Sequence, residues 1–315
     1  MFSTTSHIGR KSQMKPTSRH LLPIRNDSFF QSLMGINLRI DALFGHRFSR
    51  SSKPVNSANP KTLNNAFQSV EGKNKLGAAR LVDKYFYTED ICRIRLEPID
   101  ALDYHAGQFI NLQTSESCNR SYAITNTPLE GDYLELHIRR KLNGEMSNWL
   151  LDEFEVNDYI HFSSAMGNCY YAQQHRKRPL VFISTGAGAG GLYGIVKDAL
   201  HHEHQGPMYF YHGCRDNESL YLTHLLTELQ NETSNFYYLP SITREKSSDT
   251  VLHGRCNQYV MANLMLFSNA VFYISGNAGM VKDTRSQLIE KGIQPKDILV
   301  MPFESKDLRK TPRDQ

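Results

Sequence analysis

The chain is poor in several features that mark whole classes of protein. It holds five cysteines in 315 residues, and no two of them form a C-x-x-C pair. This spacing argues against a zinc ribbon or a cysteine-ligated iron–sulfur cluster, and it fits free thiols in a reducing compartment. No apolar run approaches the roughly 20 residues that span a bilayer. The net charge of +4 does not by itself indicate nucleic acid as a partner. We therefore expect no metal site, no transmembrane segment and no nucleic-acid partner.

Acidic residues are scarce in residues 1–72, where ten Lys and Arg face three acids and serine is frequent. We predict a mostly flexible arm, because its few apolar residues cannot offset the entropy of ordering it. Two alternatives remain open: an organelle transit peptide, which is rich in Arg and Ser, and a basic arm for an acidic partner or a membrane surface. Without targeting, the protein is expected in the cytoplasm. Residues 306–315 are predicted to be a flexible tail.

The rest of the chain has a globular composition, and its most informative stretch is residues 180–200. An apolar run from Leu180 to Ile183, typical of a strand buried on both faces, precedes a glycine cluster from Gly186 to Gly191. Apolar residues then recur at helical spacing. The glycines match G-x-G-x-x-G, and a strand–turn–helix of this kind directs backbone N–H groups at a phosphate. The stretch predicts a nucleotide-binding turn; a tight connection without a ligand is the alternative.

Short alternating segments rich in aromatic and β-branched residues fill residues 73–176. The clearest lie within residues 78–96, 107–113, 121–125, 133–139 and 159–163. Several short strands with turns between them predict an antiparallel barrel or sandwich. One helix is predicted from Ser147 to Phe154, and the polar segment Gln173–Pro179 is predicted to be the domain boundary.

Strands and helices alternate over residues 177–305. Predicted strands are 180–184, 208–212, 235–239, 271–275 and 298–301, and predicted helices are 190–202, 220–229, 257–266 and 278–291. This alternation predicts a doubly wound α/β domain, a parallel sheet covered by helices that binds ligands at the carboxyl ends of its strands. The predicted fold class is α+β with two domains, a β domain followed by this α/β domain.

Eight short motifs follow one another along both domains. They are Gly107-Gln108-Phe109, Arg120-Ser121-Tyr122-Ala123, His137-Ile138-Arg139, Gly144-Glu145-Met146-Ser147, Thr185-Gly186-Ala187-Gly188-Ala189-Gly190, Tyr211-His212-Gly213-Cys214-Arg215, Ser275-Gly276-Asn277-Ala278-Gly279-Met280 and Met301-Pro302-Phe303-Glu304. In this order they resemble the ferredoxin–NADP reductase-like flavoprotein reductases, including the reductase modules of oxygenases and flavohaemoglobins. The resemblance covers roughly residues 76–305, and it implies an antiparallel β-barrel for the first domain.

The resemblance implies that the barrel binds FAD, with FMN as the alternative. Arg120 would pair with flavin phosphate, and the ring of Tyr122 would pack on the isoalloxazine. Gly144, Met146 and Ser147 would place a helix N-terminus at a flavin phosphate, with Ser147 also a candidate N-cap. The other flavin-binding residues that the resemblance implies are Ser121, His137, Ile138 and Arg139.

The resemblance also implies that the second domain binds NADH or NADPH. The residues implied for this are Thr185, Gly186, Gly188, Gly190, Gly213, Arg215, Gly276, Asn277 and Met280. Thr243 and Arg244 follow the third strand of this domain, where hydroxyl and positive groups would suit the 2′-phosphate of NADPH. A solvated arginine in a loop is the alternative.

Tyr122, Ala123, Ser275 and Phe303 are the candidate catalytic residues. Ala123 stands where the family has a Ser or Thr whose hydroxyl hydrogen-bonds near flavin N5, and Ser275 stands where it has a Cys beside the nicotinamide. Phe303 matches the terminal aromatic segment placed against the flavin. Gly191 and Ala278 replace prolines.

The implied reaction is hydride transfer from NAD(P)H to the flavin, followed by passage of single electrons to a separate acceptor protein, such as a ferredoxin, an oxygenase or a desaturase. Two alternatives are a flavin-free NAD(P)-dependent dehydrogenase and a non-catalytic redox sensor that binds flavin and nucleotide.

Overall fold

The computed structural model contains two six-stranded sheets, one antiparallel and one parallel. It describes residues 76–114, 118–244, 250–267 and 269–303. The predictions for the arm, residues 1–72, and for the tail, residues 306–315, lie outside these ranges. Within them, none of the helices is long and apolar enough to cross a membrane. The domain boundary at residues 176 and 177 stays a prediction.

The antiparallel sheet forms the predicted barrel. Its strands are β1 (Gly77–Thr88), β2 (Ile91–Pro98), β3 (Phe109–Gln113), β4 (Asn119–Ala123), β5 (Leu134–Arg139) and β6 (Tyr159–Phe162). They pair in the order β4-β3-β6-β1-β2-β5. A bridge between Ile124, just after β4, and Leu136 in β5 brings the two ends of this order together. Leu81, Ile94 and Leu112 fill the interior without exposed surface, as expected for strands with one buried face.

Two local predictions in the barrel are wrong. Gly107 does not begin a strand, because its φ of +89° is left-handed and a Cβ atom there would overlap Ile195; β3 begins at Phe109. Helix α1 (Glu145–Asp152) begins two residues before the predicted start. Its N-cap is Gly144, so Ser147 lies inside the first turn and does not cap the helix.

The parallel sheet confirms the predicted α/β domain. Its strands are β7 (Leu180–Thr185), β8 (Met208–Cys214), β9 (Phe236–Ile242), β10 (Leu252–His253), β11 (Val271–Asn277) and β12 (Ile298–Phe303). Its helices are α2 (Gly188–His201), α3 (Thr223–Glu232), α4 (Cys256–Ala262) and α5 (Ala278–Glu290). The strand order is β10-β9-β8-β7-β11-β12. Because the order reverses between β7 and β11, their carboxyl ends form the switch point at which such sheets bind ligands.

The helix predicted over residues 257–266 is interrupted at Asn263. The Asn263 side-chain amide donates to the Tyr259 carbonyl at 2.8 Å, the same carbonyl that accepts from the Asn263 backbone N–H at 3.2 Å. An asparagine that bonds the helix backbone in this way competes with continued helix. Helix α4 therefore ends at Ala262, and a 3₁₀ turn, Leu264–Phe267, follows.

Helix α2 packs on the barrel through a face without side chains, formed by Gly190, Gly191 and Gly194. A Cβ atom on Gly194 would lie 2.8 Å from the Thr125 backbone, and one on Gly191 would lie 3.1 Å from the Ala123 Cβ. The contact at Gly194 leaves no room for a side chain, and a methyl group at Gly191 would push against Ala123 and Met301. The helix backbone consequently lies directly against the barrel.

The next turn of α2 adds charged and polar contacts to the same interface. The Lys197 ammonium lies 2.8 Å from the Glu130 carboxylate, and both side chains are almost fully buried. The Thr127 hydroxyl donates to the Asp198 carboxylate at 3.2 Å. These contacts fix the position of α2 along the barrel as well as its distance from it.

We expect Gly194→Ala to destabilise the protein, although alanine favours helix over glycine by about 1 kcal/mol. The added Cβ would overlap the Thr125 backbone, and overpacking costs about 1–3 kcal/mol. Chemical denaturation of the purified protein measures the change. The matched control is Gly279→Ala in α5, an exposed helical glycine whose Cβ would meet only the Asn277 side-chain oxygen, at 3.2 Å. The control should be neutral or stabilising, and equal losses in both variants would contradict the close packing of α2.

Candidate functional site

The turn between β7 and α2 has an arginine of the other domain beside it. Gly186 adopts a left-handed φ of +55°, and the Arg139 guanidinium would lie 2.7 Å from a Cβ atom on this glycine. The start of α2 adds the partial positive charge of a helix N-terminus, although the Ala189 and Gly190 N–H groups already donate to the Gly186 and Ala187 carbonyls at 3.2 Å. The turn and Arg139 together suit a phosphate.

The end of β11 packs against the same turn. A Cβ atom on Gly188 would lie 2.7 Å from the Gly276 backbone. The Thr185 hydroxyl accepts from the Asn277 backbone N–H at 3.1 Å, and the Asn277 side chain caps α5 by accepting from the Met280 N–H at 3.2 Å. The carboxyl ends of β7 and β11 are thereby held together.

Ser275, one of the candidate catalytic residues, lies in this junction. Its side chain has no exposed surface, and its hydroxyl oxygen has no hydrogen-bond partner within the described structure. A buried unpaired hydroxyl costs about 1–3 kcal/mol. The unpaired hydroxyl lies under the end of β11, next to the nucleotide-binding turn.

Strand β4 carries the Arg120-Ser121-Tyr122-Ala123 motif of the barrel. Arg120 and Tyr122 lie on one face of the strand because they are two residues apart, and Tyr122 packs against the barrel core. The Arg120 guanidinium donates to the Asn119 carbonyl at 2.7 Å, and Ser121 donates to the Asn111 side chain at 2.6 Å. Ser121 is therefore engaged within the barrel.

Ala123, at the end of β4, reaches the interface between the domains. It belongs to the same buried cluster as Met301 of β12, and the partly buried ring of Phe303 packs against that cluster. A Cβ atom on Gly191 would touch both Met301 and Ala123. The motif that ends at Ala123 and the motif that begins at Met301 thus meet at α2.

The start of α1 is the second candidate phosphate site on the barrel. Gly144 is the N-cap and makes no side-chain cap bond. The Ser147 hydroxyl donates to the Gly144 carbonyl at 3.1 Å and accepts from the Lys141 N–H at 3.2 Å. Met146 is buried in the barrel core. Side chains thus shape this turn, and its backbone N–H groups remain the groups that suit an anion.

Alternate residues of β5 face the nucleotide-binding turn, and Glu135 is the residue of this face that the motifs did not include. Ile138 points inward and has no exposed surface, so its side chain is a core residue. Glu135, His137 and Arg139 occupy the opposite face. The His137 Nδ1 atom lies 2.9 Å from the Tyr221 hydroxyl oxygen. The alternation Leu-Glu-Leu-His-Ile-Arg carried this signal.

Glu135 is the centre of a buried charge cluster on this face. Its carboxylate accepts from Arg95 Nε at 2.9 Å and from the Thr125 hydroxyl at 3.1 Å, and it lies 3.5 Å from His137 Nε2. Burial acts to raise the pKa of Glu135, but the Lys197 charge, the His137 hydrogen bond and the Arg95 charge outweigh it and hold the pKa well below its usual range. Burial lowers the pKa of His137, which Glu135 opposes.

Arg139 and Arg244 both act on Asp216, which follows β8. The Asp216 carboxylate accepts from the Ser219 backbone N–H at 3.1 Å and from its hydroxyl at 2.6 Å. These Ser219 bonds, helped by the charges of Arg244 and Arg139, lower the pKa of Asp216. Asp216 is thus an engaged carboxylate.

The loops after β8 and β9 are joined by backbone bonds. The Thr243 and Arg244 backbone N–H groups donate to the Arg215 carbonyl at 3.3 Å and 2.9 Å. Gly213 has no room for a side chain, because a Cβ atom there would lie 2.8 Å from Cys256 Sγ. The two loops are therefore held together at this edge of the sheet, where Arg215 and Arg244 are exposed.

Within the described residues, no group of three or more His, Cys, Asp or Glu residues is placed to hold a metal ion. Two histidines at and after the end of α2 contact protein groups instead of a metal. His202 Nδ1 lies 2.8 Å from the Asp198 carbonyl, and His204 Nδ1 lies 3.2 Å from the Tyr171 hydroxyl. All five cysteines are free thiols.

The residues present fit a flavin and a nicotinamide dinucleotide. Gly186 and Arg139 suit a pyrophosphate, the Ser275 hydroxyl lacks a partner, and the Arg120 and Tyr122 side chains share one face of β4. The geometry thus defines a class, two-domain oxidoreductases that bind both groups across one interface.

Two family models match the chain in the order of its domains. The oxidoreductase FAD-binding domain matches residues 78–171, and the oxidoreductase NAD-binding domain matches residues 182–286. The chain belongs to the ferredoxin–NADP reductase-like flavoproteins, as the sequence resemblance predicted.

A probable flavin reductase from Vibrio harveyi is 27% identical over 221 residues, 69% of this chain and 94% of that protein. An anthranilate 1,2-dioxygenase electron transfer component from Acinetobacter baylyi is 26% identical over 214 residues, 68% of this chain and 62% of that protein. The chain likewise spans 63% of a CDP-6-deoxy-L-threo-D-glycero-4-hexulose-3-dehydrase reductase from Yersinia pestis, so it covers less than two thirds of both these relatives.

The fold has close counterparts among solved structures. A ferredoxin NADP+ reductase from Neisseria gonorrhoeae with bound FAD and NADP has a TM-score of 0.64 and 21% identity, over 73% of this chain and 99% of that chain. At this identity the likeness shows the fold alone.

We expect Glu135→Gln to lower the free energy of unfolding by about 3–5 kcal/mol near neutral pH, because Arg95 loses its buried counter-charge at 2.9 Å. The folded pKa of Glu135 lies below its usual 4.5. The ionised carboxylate therefore contributes stability above that pH, and the contribution is lost as the pH falls towards the folded pKa. The gap between wild type and variant should shrink below about pH 4.5.

Denaturation curves recorded across this pH range measure the gap. The control is Glu97→Gln, which breaks the exposed Arg80–Glu97 pair at 2.5 Å and should cost less than about 1 kcal/mol. A gap for Glu135→Gln that is as small as the control's, or that does not change with pH, would show that the buried carboxylate is not ionised.

Proposed function

We propose that this protein is an NAD(P)H-dependent flavoprotein reductase that accepts hydride from a nicotinamide nucleotide and passes single electrons to a separate acceptor. One observation carries the proposal: the first turn of α2 contacts Ala123 of the barrel motif through Gly191 and the end of β11 through Gly188. The flavin motif and the nucleotide motif therefore share one junction. A reductase that passes hydride between two bound rings needs this arrangement, because the reacting atoms must come within about 3–3.5 Å.

The barrel would hold FAD through its charged and aromatic groups. The Arg120 guanidinium and the N–H groups at the start of α1 suit the flavin phosphates. The Tyr122 ring offers a flat apolar surface for a flat ring system. When bound, the flavin supplies the redox chemistry, since it takes up two electrons as hydride and releases them singly.

The second domain would hold the nucleotide across the switch point. The start of α2 at Gly188 and the Arg139 guanidinium would bind its pyrophosphate, Arg139 from the barrel side. Ser275 would place its hydroxyl beside the nicotinamide ring. Ala123 offers no hydroxyl to flavin N5, so orientation at that end depends on the backbone and on the packing of Met301 and Phe303.

NADPH is the donor that the charges favour. Arg244 offers a positive group to a 2′-phosphate, whereas the Asp216 carboxylate, which would suit a free ribose hydroxyl, is already engaged by Ser219. Arg139 also lies near this edge and adds to its positive potential.

We expect Arg244→Gln to raise the KM for NADPH about tenfold, because a charge-assisted bond to the phosphate is lost. The KM for NADH should change less than about twofold. Steady-state kinetics with both donors measure the two constants. The control is Arg285→Gln on the exposed face of α5, which removes the same charge elsewhere in the domain and should change neither constant. Equal changes for both donors in Arg244→Gln would contradict the assignment of NADPH.

The acceptor is proposed from the named roles of the proteins that this chain resembles. The relative from Acinetobacter baylyi is named an electron transfer component of a dioxygenase. We assign this chain the same kind of acceptor, a separate oxygenase or ferredoxin. The cytoplasm is the compartment that its five free thiols favour.

A visible spectrum of the purified protein tests the proposed function. We expect flavin absorption that is lost on anaerobic addition of NADPH, and more slowly with NADH. Flavin bands that resist both donors would instead favour the redox-sensor alternative, which the substitutions at Ala123 and Ser275 support. A colourless protein that takes up neither FAD nor FMN would contradict the proposal and favour the flavin-free dehydrogenase.

A further inference from the structure

A tyrosine of one domain and a histidine of the other meet at the nucleotide-binding turn. A Cβ atom on Gly190 would lie 2.5 Å from His137 Nδ1 and 2.9 Å from the Tyr221 hydroxyl oxygen. These two atoms are themselves 2.9 Å apart. His137 belongs to β5 of the barrel, Tyr221 precedes α3 and Gly190 is in the first turn of α2. Three segments from both domains therefore converge on one hydrogen bond.

The charge of Glu135 favours one direction for this hydrogen bond. The Glu135 carboxylate lies 3.5 Å from His137 Nε2, so the proton of the neutral imidazole is favoured on Nε2. Nδ1 is then an acceptor, and the Tyr221 hydroxyl donates to it. Burial lowers the pKa of His137, which keeps the ring neutral at physiological pH and maintains this direction.

Aromatic packing stiffens the joint, the contact that His137, Tyr221 and Gly190 form. The Tyr87 ring of β1 packs edge-on against both partners, with ring centroids 5.2 Å from His137 and 5.2 Å from Tyr221. The His137 and Tyr221 rings are themselves 5.5 Å apart and near perpendicular. Since Gly190 has no side chain, these rings contact the α2 backbone directly. A shift of the joint would therefore move the turn itself.

We propose that Tyr221 and His137 are positioning residues, whose hydrogen bond fixes the nucleotide-binding turn relative to the flavin barrel and so aligns the nicotinamide with the flavin. The inference rests on the proposed function. The turn touches the barrel at Ala123 and the nucleotide domain at Gly276, so its position sets the separation of the two ring sites. Hydride transfer is sensitive to such displacement, because a misplacement of about 1 Å costs on the order of a hundredfold in rate.

Four variants separate positioning from general stabilisation. Tyr221→Phe removes the donor and keeps the ring, and His137→Leu removes the acceptor. His137→Asn keeps an acceptor close to the position of Nδ1 and is the conservative rescue. The matched control is Tyr238→Phe, which removes a buried hydroxyl bonded to His212 at 3.3 Å and to Thr223 at 3.2 Å, all within the nucleotide domain.

The first readout is the rate of flavin reduction at saturating NADPH, by stopped-flow absorbance. Tyr221→Phe and His137→Leu should each slow it about fivefold to tenfold, and the double variant should be no slower than either. His137→Asn and Tyr238→Phe should remain within about twofold of wild type. The Kd for NADPH, measured by fluorescence titration of the cofactor-free protein, should change less than about twofold in every variant, since the phosphate contacts are intact.

The second readout needs no cofactor. Denaturation of the cofactor-free protein measures the free energy of unfolding of each variant. The losses from Tyr221→Phe and His137→Leu should not add, so Tyr221→Phe should cost little in a protein that already carries His137→Leu. Additive losses of unfolding free energy would contradict a hydrogen bond between His137 and Tyr221.

Two kinetic results would also overturn the positioning role: an unchanged reduction rate in Tyr221→Phe, or an equal slowing in Tyr238→Phe. Failure of the two proposals is distinguishable. A wild type whose flavin neither nucleotide reduces overturns the proposed function together with the positioning role, whereas a reducible wild type with an equally fast Tyr221→Phe overturns the positioning role alone.

Discussion

The close approach of helix α2 to the barrel is the constraint on which the rest of this structure depends. Gly190, Gly191 and Gly194 give the helix one face without side chains, and the barrel atoms opposite Gly190 and Gly194 lie too near to admit even a methyl group. The same helix begins at the nucleotide-binding turn. Its first residues therefore serve two purposes, because glycine lets the chain turn sharply at a phosphate and lets the helix lie against a second domain. Ser275, Ala123 and Arg139 converge only because this helix holds the two sheets together.

Buried charges at the interface also restrict how α2 can slide along the barrel. A hydrophobic or glycine-lined surface tolerates sliding, whereas the Lys197–Glu130 pair and the cluster around Glu135 are satisfied in one register only. Buried charges of this kind contribute little net stability compared with apolar packing, but breaking one leaves its partner unpaired at a high cost. Their effect is therefore to penalise alternative arrangements of the two domains. For a site assembled from both domains, that specificity matters more than the stability.

The architecture and the order of the motifs could be predicted from sequence, and the interface between the domains could not. The strand–turn–helix at residues 180–200 and the alternation in residues 177–305 identified the α/β domain, since each signal is local. Single-residue details failed where tertiary contacts decide, as at Ser147, which is held by Lys141 and Gly144 inside the helix that it was expected to cap. The contact of His137 with Tyr221 and Gly190 was not predicted, because both residues lie more than fifty positions away in sequence. No periodicity within one segment reports such a contact.

The substitutions at Ala123 and Ser275 change how the site must work. A hydroxyl at position 123 would orient the flavin directly, and a thiol at position 275 would contact the nicotinamide with a larger, more polarisable atom. This chain has neither, while it keeps the arginines and glycines to which the proposed function assigns the phosphates. Phosphates anchor the far ends of both cofactors and leave the reactive rings to be aligned by what surrounds them. Alignment must then come from the scaffold, and the scaffold element next to both ring sites is the first turn of α2. A chain that lacks direct contacts to the rings therefore has the greater need for a rigid joint between its domains at that turn.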